Sequence, residues 1–125
     1  MKKVISTPHA PAAIGPYSQA IEVGNMVFLS GQIPVNPATG DVVEGGIKEQ
    51  TTQVFENIKA VLAEAGLTLD NVVKTTVLLA DIADFKAVNE VYAEYFTGDK
   101  PARACYQAAA LPLGVKVEIE AIAVK

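Results

Sequence analysis

Pro101-Ala102-Arg103-Ala104-Cys105-Tyr106-Gln107, followed after a small-residue loop by Val115-Lys116-Val117-Glu118-Ile119-Glu120-Ala121-Ile122-Ala123-Val124-Lys125, closes the chain with two strand-like runs. Side chains alternate along a strand, so Arg103, Cys105 and Gln107 take one face of the first run and Ala102, Ala104 and Tyr106 the other. In the second run Val115, Val117, Ile119, Ala121 and Ala123 share a face. Lys116, Glu118 and Glu120 stand opposite, before Ile122 and Val124 turn that face apolar as well. A guanidinium and two carboxylates are thus expected inside strands, where charge is uncommon.

Working back from there, Val72 to Ala80 is long and β-branched and reads as a strand. Asp84 is placed to cap a helix over Phe85 to Phe96, with Phe85, Val88, Val91, Tyr92, Tyr95 and Phe96 inward as packing and Gly98 past its end. Asn89, next to Val88, falls at the rim of that stripe. A longer amphipathic helix spans Ile47 to Ala65, where Ile47, Val54, Phe55, Ile58, Val61, Leu62 and Ala65 recur at helical spacing and Gly66 is the stop. Lys48, Glu49, Glu56, Lys59 and Glu64 form its solvated side. Nearer the start, Tyr17 to Val23 and Met26 to Leu29 flank Gly24-Asn25, a hairpin signal. Ser30 to Asp41, with two prolines and two glycines, reads as a loop in which Gly31 admits close approach and Ser30 offers a hydroxyl. Met1 to Gly15 is an extended arm or short edge strand. The expected fold is α+β: a mixed sheet with a hairpin at each end and both helices on one face. The other face needs a cover, which neighbouring subunits would supply.

At 125 residues and 13.1 kDa the chain forms one domain, residues 1 to 125. With Gly counted and Tyr left out, about 54% of it is apolar, against a usual 45 to 50% or so. That is more apolar surface than a small monomer hides easily, which again points to association. A net charge of -4 and scattered lysines offer no basic stripe for nucleic acid. One cysteine excludes an internal disulfide and suits a reducing compartment, and one His with one Cys makes no structural metal set. Pro8, His9 and Pro11 interrupt anything like a signal sequence, and no stretch approaches the roughly 20 apolar residues of a membrane span. The expectation is a soluble cytoplasmic protein.

Arg103 carries the first chemical expectation, because its fork of donors suits a carboxylate. Its bland alternative is a structural ion pair with Glu118 or Glu120. Either glutamate, if partly desolvated, is instead a candidate general base or water-orienting group. Cys105 has no second Cys beside it, and the only His is His9 in the arm, a surface residue. Packing or lining of a site therefore suits Cys105 better than covalent nucleophilicity. Gly45-Gly46 is too weak a signal for a phosphate site. The residues alone point to a soluble oligomer that binds a small acid.

Ile14-Gly15-Pro16-Tyr17-Ser18-Gln19, Ser30-Gly31-Gln32-Ile33-Pro34, Asn36-Pro37, Thr39-Gly40, Pro101-Ala102-Arg103 with Cys105, and Val117-Glu118-Ile119-Glu120 together resemble the reactive intermediate deaminase A family, also called YjgF/YER057c/UK114. The resemblance runs nearly end to end. It implies a chorismate mutase-like fold assembled as a homotrimer, with the sheets in a central barrel and three sites between subunits. It also implies hydrolysis of 2-imino acids, formed from enamines that pyridoxal-phosphate dehydratases release, to 2-keto acids and ammonia. Carried onto this chain, Arg103 would hold the substrate carboxylate and Glu118 would position or activate the water. Tyr17, Ser30, Gly31, Asn89 and the Cys105 main chain would line the pocket. A protonated imine is already electrophilic, so no metal or organic cofactor is implied. Ala104, Tyr106 and Gln107 depart from the common pattern. Tyr106 is expected to bear on subunit packing and Gln107 on the polarity of the cleft. The alternative is a non-catalytic module that binds a small acid and regulates.

Overall fold

The computed structural model describes residues 1–125. Eight elements form it: β1 (Lys2–Ile5), β2 (Ala20–Val23), β3 (Met26–Gln32), α1 (Ile47–Glu64), β4 (Val72–Leu79), α2 (Phe85–Tyr95), β5 (Ala102–Gln107) and β6 (Val117–Val124). The strands make one six-stranded sheet in the order β1-β2-β3-β6-β4-β5. Only β4 and β5 run parallel, and α2 is the crossover such a pair requires. A hairpin joins β2 to β3, with Val23 opposite Met26.

No second hairpin closes the chain. β6 lies between β3 and β4, and β5 is an edge strand beyond β4. The crossover through α2 carries β5 past β4, and β6 returns antiparallel on the other side of β4. Alternation within β5 and β6 sets the face of each residue but not which strand lies between them.

Both helices pack on one face of the sheet. Phe55, Ile58 and Leu62 of α1 and Val88, Val91 and Tyr92 of α2 share a single buried cluster with Val27, Leu29, Val77, Leu79, Val117, Ile119, Ala121 and Ala123. Side chains on the odd positions of β6 therefore meet the helices, and the even ones face away. On the uncovered face Phe28, Val23 and Tyr106 are 40%, 42% and 54% exposed, beside the half-buried Ile122 and Leu78.

Helix ends follow local chemistry. The Gly46 amide donates to Glu49 Oε1 at 2.7 Å at the start of α1. At its end Gly66 takes φ 77°, and the Leu67 amide reaches back to the Leu62 carbonyl at 2.8 Å, a Schellman closure. Asp84 is not the cap expected of it. Its backbone is already helical and its side chain makes no cap bond, whereas Asp81 accepts from the Ala83 amide at 2.9 Å and starts a 3-10 turn over Ile82–Asp84.

β3 also runs further than its apolar residues suggest. It continues through Ser30 and Gly31 to Gln32, with its register against β6 shifting between Leu29 and Gln32. An extra residue is absorbed there as a β-bulge, a local bend that re-aims side chains.

Candidate functional site

The β3 bulge meets Glu118 of β6. A Cβ added at Gly31 would overlap the Glu118 carboxylate, so glycine is what lets that side chain lie against the backbone. The Ser30 hydroxyl donates to the Ser18 carbonyl at 2.6 Å, and the Ser30 amide to the Gln19 carbonyl at 2.9 Å. Those two bonds tether the segment carrying Tyr17 to the bulge. Tyr17, Ser30, Gly31, Glu118 and Glu120 all line one open cavity of about 630 Å³, with Ile14, Ile33 and Leu113 among its apolar lining.

Burial pushes the Glu118 carboxyl above its ordinary value, and the neighbouring Glu120 carboxylate adds to the shift. A glutamate so placed exchanges protons more readily near neutral pH than an exposed one. Water orientation and proton transfer are therefore within its chemistry.

Three carboxamides, to which the sequence reading gave no role, hold this cavity's walls. Gln19, 3% exposed, accepts from the Thr7 amide at 2.7 Å and donates to the Thr7 and Pro11 carbonyls at 3.0 and 2.8 Å, which pins the amino-terminal arm. Asn57 donates to the Ile33 and Val35 carbonyls at 3.1 and 3.0 Å, fixing the segment after β3. Gln50 accepts from the Lys116 amide at 2.8 Å, fixing the entry to β6 two residues before Glu118. Gln50, Val54, Asn57 and Val61 recur at helical spacing, so two amides on the apolar stripe of α1 were the available signal.

Arg103 belongs to a different cluster. It projects from β5 beside α2, where Phe85, Asn89 and Tyr92 stand at i, i+4 and i+7 on one stripe. Arg103 Nη1 donates to Asn89 Oδ1 at 2.7 Å, and the guanidinium carbon lies 4.7 Å from the Tyr92 ring centre and 5.4 Å from that of Phe85. These aromatics were expected to serve packing alone; Phe85, 38% exposed, and Tyr92 also form a shelf for the guanidinium. Asn89 is a holder of Arg103 here, not a bare rim residue.

Arg103 is exposed and pairs with no carboxylate of its own chain, so the structural ion pair is absent. Cys105, half-buried on the same face, has its thiol pushed up by burial, partly opposed by the Arg103 charge. That is the reverse of an activated thiolate. Gln107 accepts from the Ile82 amide at 2.9 Å, which uses its carbonyl locally.

Strand register separates the two clusters. Arg103 lies level with Thr75 and Ala121, both buried against the helices. Glu118 lies level with Leu78 and Tyr106 on the uncovered face. A single chain therefore brings Tyr17, Ser30, Gly31 and Glu118 together, and separately Asn89, Arg103 and Cys105, on opposite faces of one sheet.

Comparison with known proteins agrees with this architecture. The Endoribonuclease L-PSP family matches over residues 7–125. A Mus musculus protein named 2-iminobutanoate/2-iminopropanoate deaminase is 56% identical over 125 residues, 100% of this chain and 93% of its own. A Yersinia pestis structure, described as a protein of unknown function of the conserved Rid family, superposes with a TM-score of 0.98 at 52% identity, covering 100% of both chains. The structure of E. coli TdcF with bound serine gives 0.94 at 47%, covering 98% of both chains. With its six-stranded sheet, its two helices and a match to nearly its whole length, the chain belongs to the Endoribonuclease L-PSP family, the YjgF or RidA family.

Proposed function

We propose that this protein is a 2-iminobutanoate/2-iminopropanoate deaminase, hydrolysing small 2-imino acids to 2-keto acids and ammonia. The observation that carries this reading is Arg103: a guanidinium held in place by Asn89 and two aromatic rings, with donors left over and no carboxylate of its own to satisfy them. A substrate carboxylate fits those donors through two parallel charge-assisted bonds. Names given to relatives at 56% identity, and the serine bound to TdcF, favour a guest with that group.

Glu118 supplies the other half. Its carboxylate takes a proton from water as the oxygen attacks C2 of the protonated imine, forming a tetrahedral amino alcohol. Returning that proton to nitrogen lets the C2–N bond break with ammonia as the leaving group, and the hydroxyl proton passes through the Glu118 carboxylate to that ammonia as the keto group forms. Ammonium and a 2-keto acid result. Tyr17 and Ser30 shape the cavity in which this occurs, and the main chain at Cys105 lies beside Arg103.

Because Arg103 and Glu118 lie on opposite faces of one sheet, we further propose that each site is shared by two copies of the chain. A cyclic homotrimer would build three such sites, each copy giving Arg103 to one neighbour and Glu118 to the other. The uncovered face with Phe28, Ile122 and Tyr106 is the surface such an assembly would bury. A lone unpaired cysteine suits a cytoplasmic setting.

The test couples the protein to threonine dehydratase and follows 2-ketobutyrate release. Acceleration over the buffer-only rate, lost in Arg103→Ala, is expected. If 2-ketobutyrate binds and no imine is turned over, the chain is a small-acid-binding module instead.

A further inference from the structure

Tyr92 is 6% exposed in the middle of α2, and the hydrolysis above gives its hydroxyl no part. That hydroxyl lies 2.7 Å from Thr75 Oγ1, itself 1% exposed. Thr75 is the residue of β4 directly beside Arg103 in the parallel register. One tyrosine thus touches both members of that pair: its tip bonds Thr75, and its ring lies under the Arg103 guanidinium, 4.7 Å from centre to carbon.

Phe55 meets the same ring edge-on at 5.6 Å and 73°, and Phe96 lies at 4.8 Å with a tilt of 43°. Between those rings and the Thr75 bond, the plane of Tyr92 has little freedom to swing. Burial raises the phenol above its ordinary value, so it keeps its proton and its hydrogen bond at working pH.

We infer that Tyr92, anchored by Thr75, is a positioning residue that fixes the plane of the Arg103 fork before any ligand arrives. Arginine has many rotamers to lose on gripping a carboxylate, and a side chain already parked on a rigid ring loses fewer at that moment. Asn89 holds one guanidinium nitrogen at the rim, and Tyr92 sets the orientation of the whole group. The inference rests on the carboxylate role given to Arg103 and not on turnover.

The test is binding of 2-ketobutyrate by NMR titration, with 2-oxobutanamide as a neutral control. Tyr92→Leu, which removes ring and anchor, should weaken 2-ketobutyrate binding about tenfold. Tyr92→Phe and Thr75→Val each keep the ring and lose the anchor, and each should weaken it about threefold. Their double variant should be no weaker than either alone, because the two side chains act as one unit. The amide should bind all variants alike.

If Tyr92 serves packing only, these variants will melt at lower temperature while the folded protein binds 2-ketobutyrate as the wild type does, and that result overturns the inference. Should Tyr92→Leu fail to fold, Tyr92→Phe and Thr75→Val decide the matter. No binding by the wild type overturns the inference together with the carboxylate role of Arg103. Binding without imine hydrolysis overturns the proposed activity alone.

Discussion

Arg103→Ala and Glu118→Gln should each abolish most imine hydrolysis, and mixing the two inactive proteins should restore part of it. Losing the charged fork removes at least about 2 kcal/mol of charge-assisted bonding, roughly thirtyfold in rate. Each variant alone is therefore near the floor. Register places the two side chains on opposite faces of one sheet; in the proposed shared site, Arg103 comes from one copy and Glu118 from the next. In a randomly mixed ring, a given interface works only when the first copy is Glu118→Gln and the second is Arg103→Ala. At equal amounts that happens at about one interface in four, so about a quarter of wild-type activity should return. Varying the ratio should trace the product of the two fractions, with its maximum at equal amounts. The assay is the dehydratase-coupled release of 2-ketobutyrate by the whole mixture of differently tagged, co-expressed variants. Material purified through both tags in turn holds only mixed rings, in each of which one interface of three works, and should show about a third of wild-type activity at any ratio. Two-tag material that stays at the floor would refute a site shared between copies.

The remaining predictions concern the cavity side chains. Gly31→Ala should drive the Glu118 carboxylate from its place and cut kcat at least tenfold while the fold survives, as circular dichroism would show; unchanged kcat would contradict the close approach. The raised Glu118 value means that its base form is lost as pH falls, so kcat/KM should decline on the acid side at a pH above the ordinary glutamate value of about 4.3. A carboxyl raised by burial favours the folded state below its unfolded value, and that contribution is lost as pH rises through the folded value. Glu118→Gln should therefore melt higher than the wild type at neutral pH, the gap closing in acid; no gap at neutral pH would count against the desolvation. Cys105→Ser should keep activity within about threefold, because a thiol raised by burial is a poor nucleophile, and a loss of a thousandfold would show otherwise.

Much of this fold is written locally. The stripe from Ile47 to Ala65, the Gly24-Asn25 turn and the β-branched run from Val72 carry their own periods, and the elements appear within a few residues of those signals. Alternation also placed Arg103 and Glu118 on definite faces of their own strands. What it could not convey is that β4 lies between β5 and β6, since strand order depends on contacts between distant segments. The bulge at Ser30 and Gly31 was hidden for a similar reason: a two-against-one pairing needs the partner strand to define it. Phe85 and Tyr92 read as core because a ring under a guanidinium and a ring against leucine have the same helical spacing.

The fastenings made by Gln19, Asn57 and Gln50 are all uncharged. Amides neither gain nor lose a proton across the range in which Glu118 changes its state, so acidity alters the occupant of that wall without loosening the wall itself. Salt should leave these fastenings equally untouched, since screening acts on ions and not on neutral dipoles. Rate changes with buffer can therefore be assigned to the reacting groups, with the vessel around them constant.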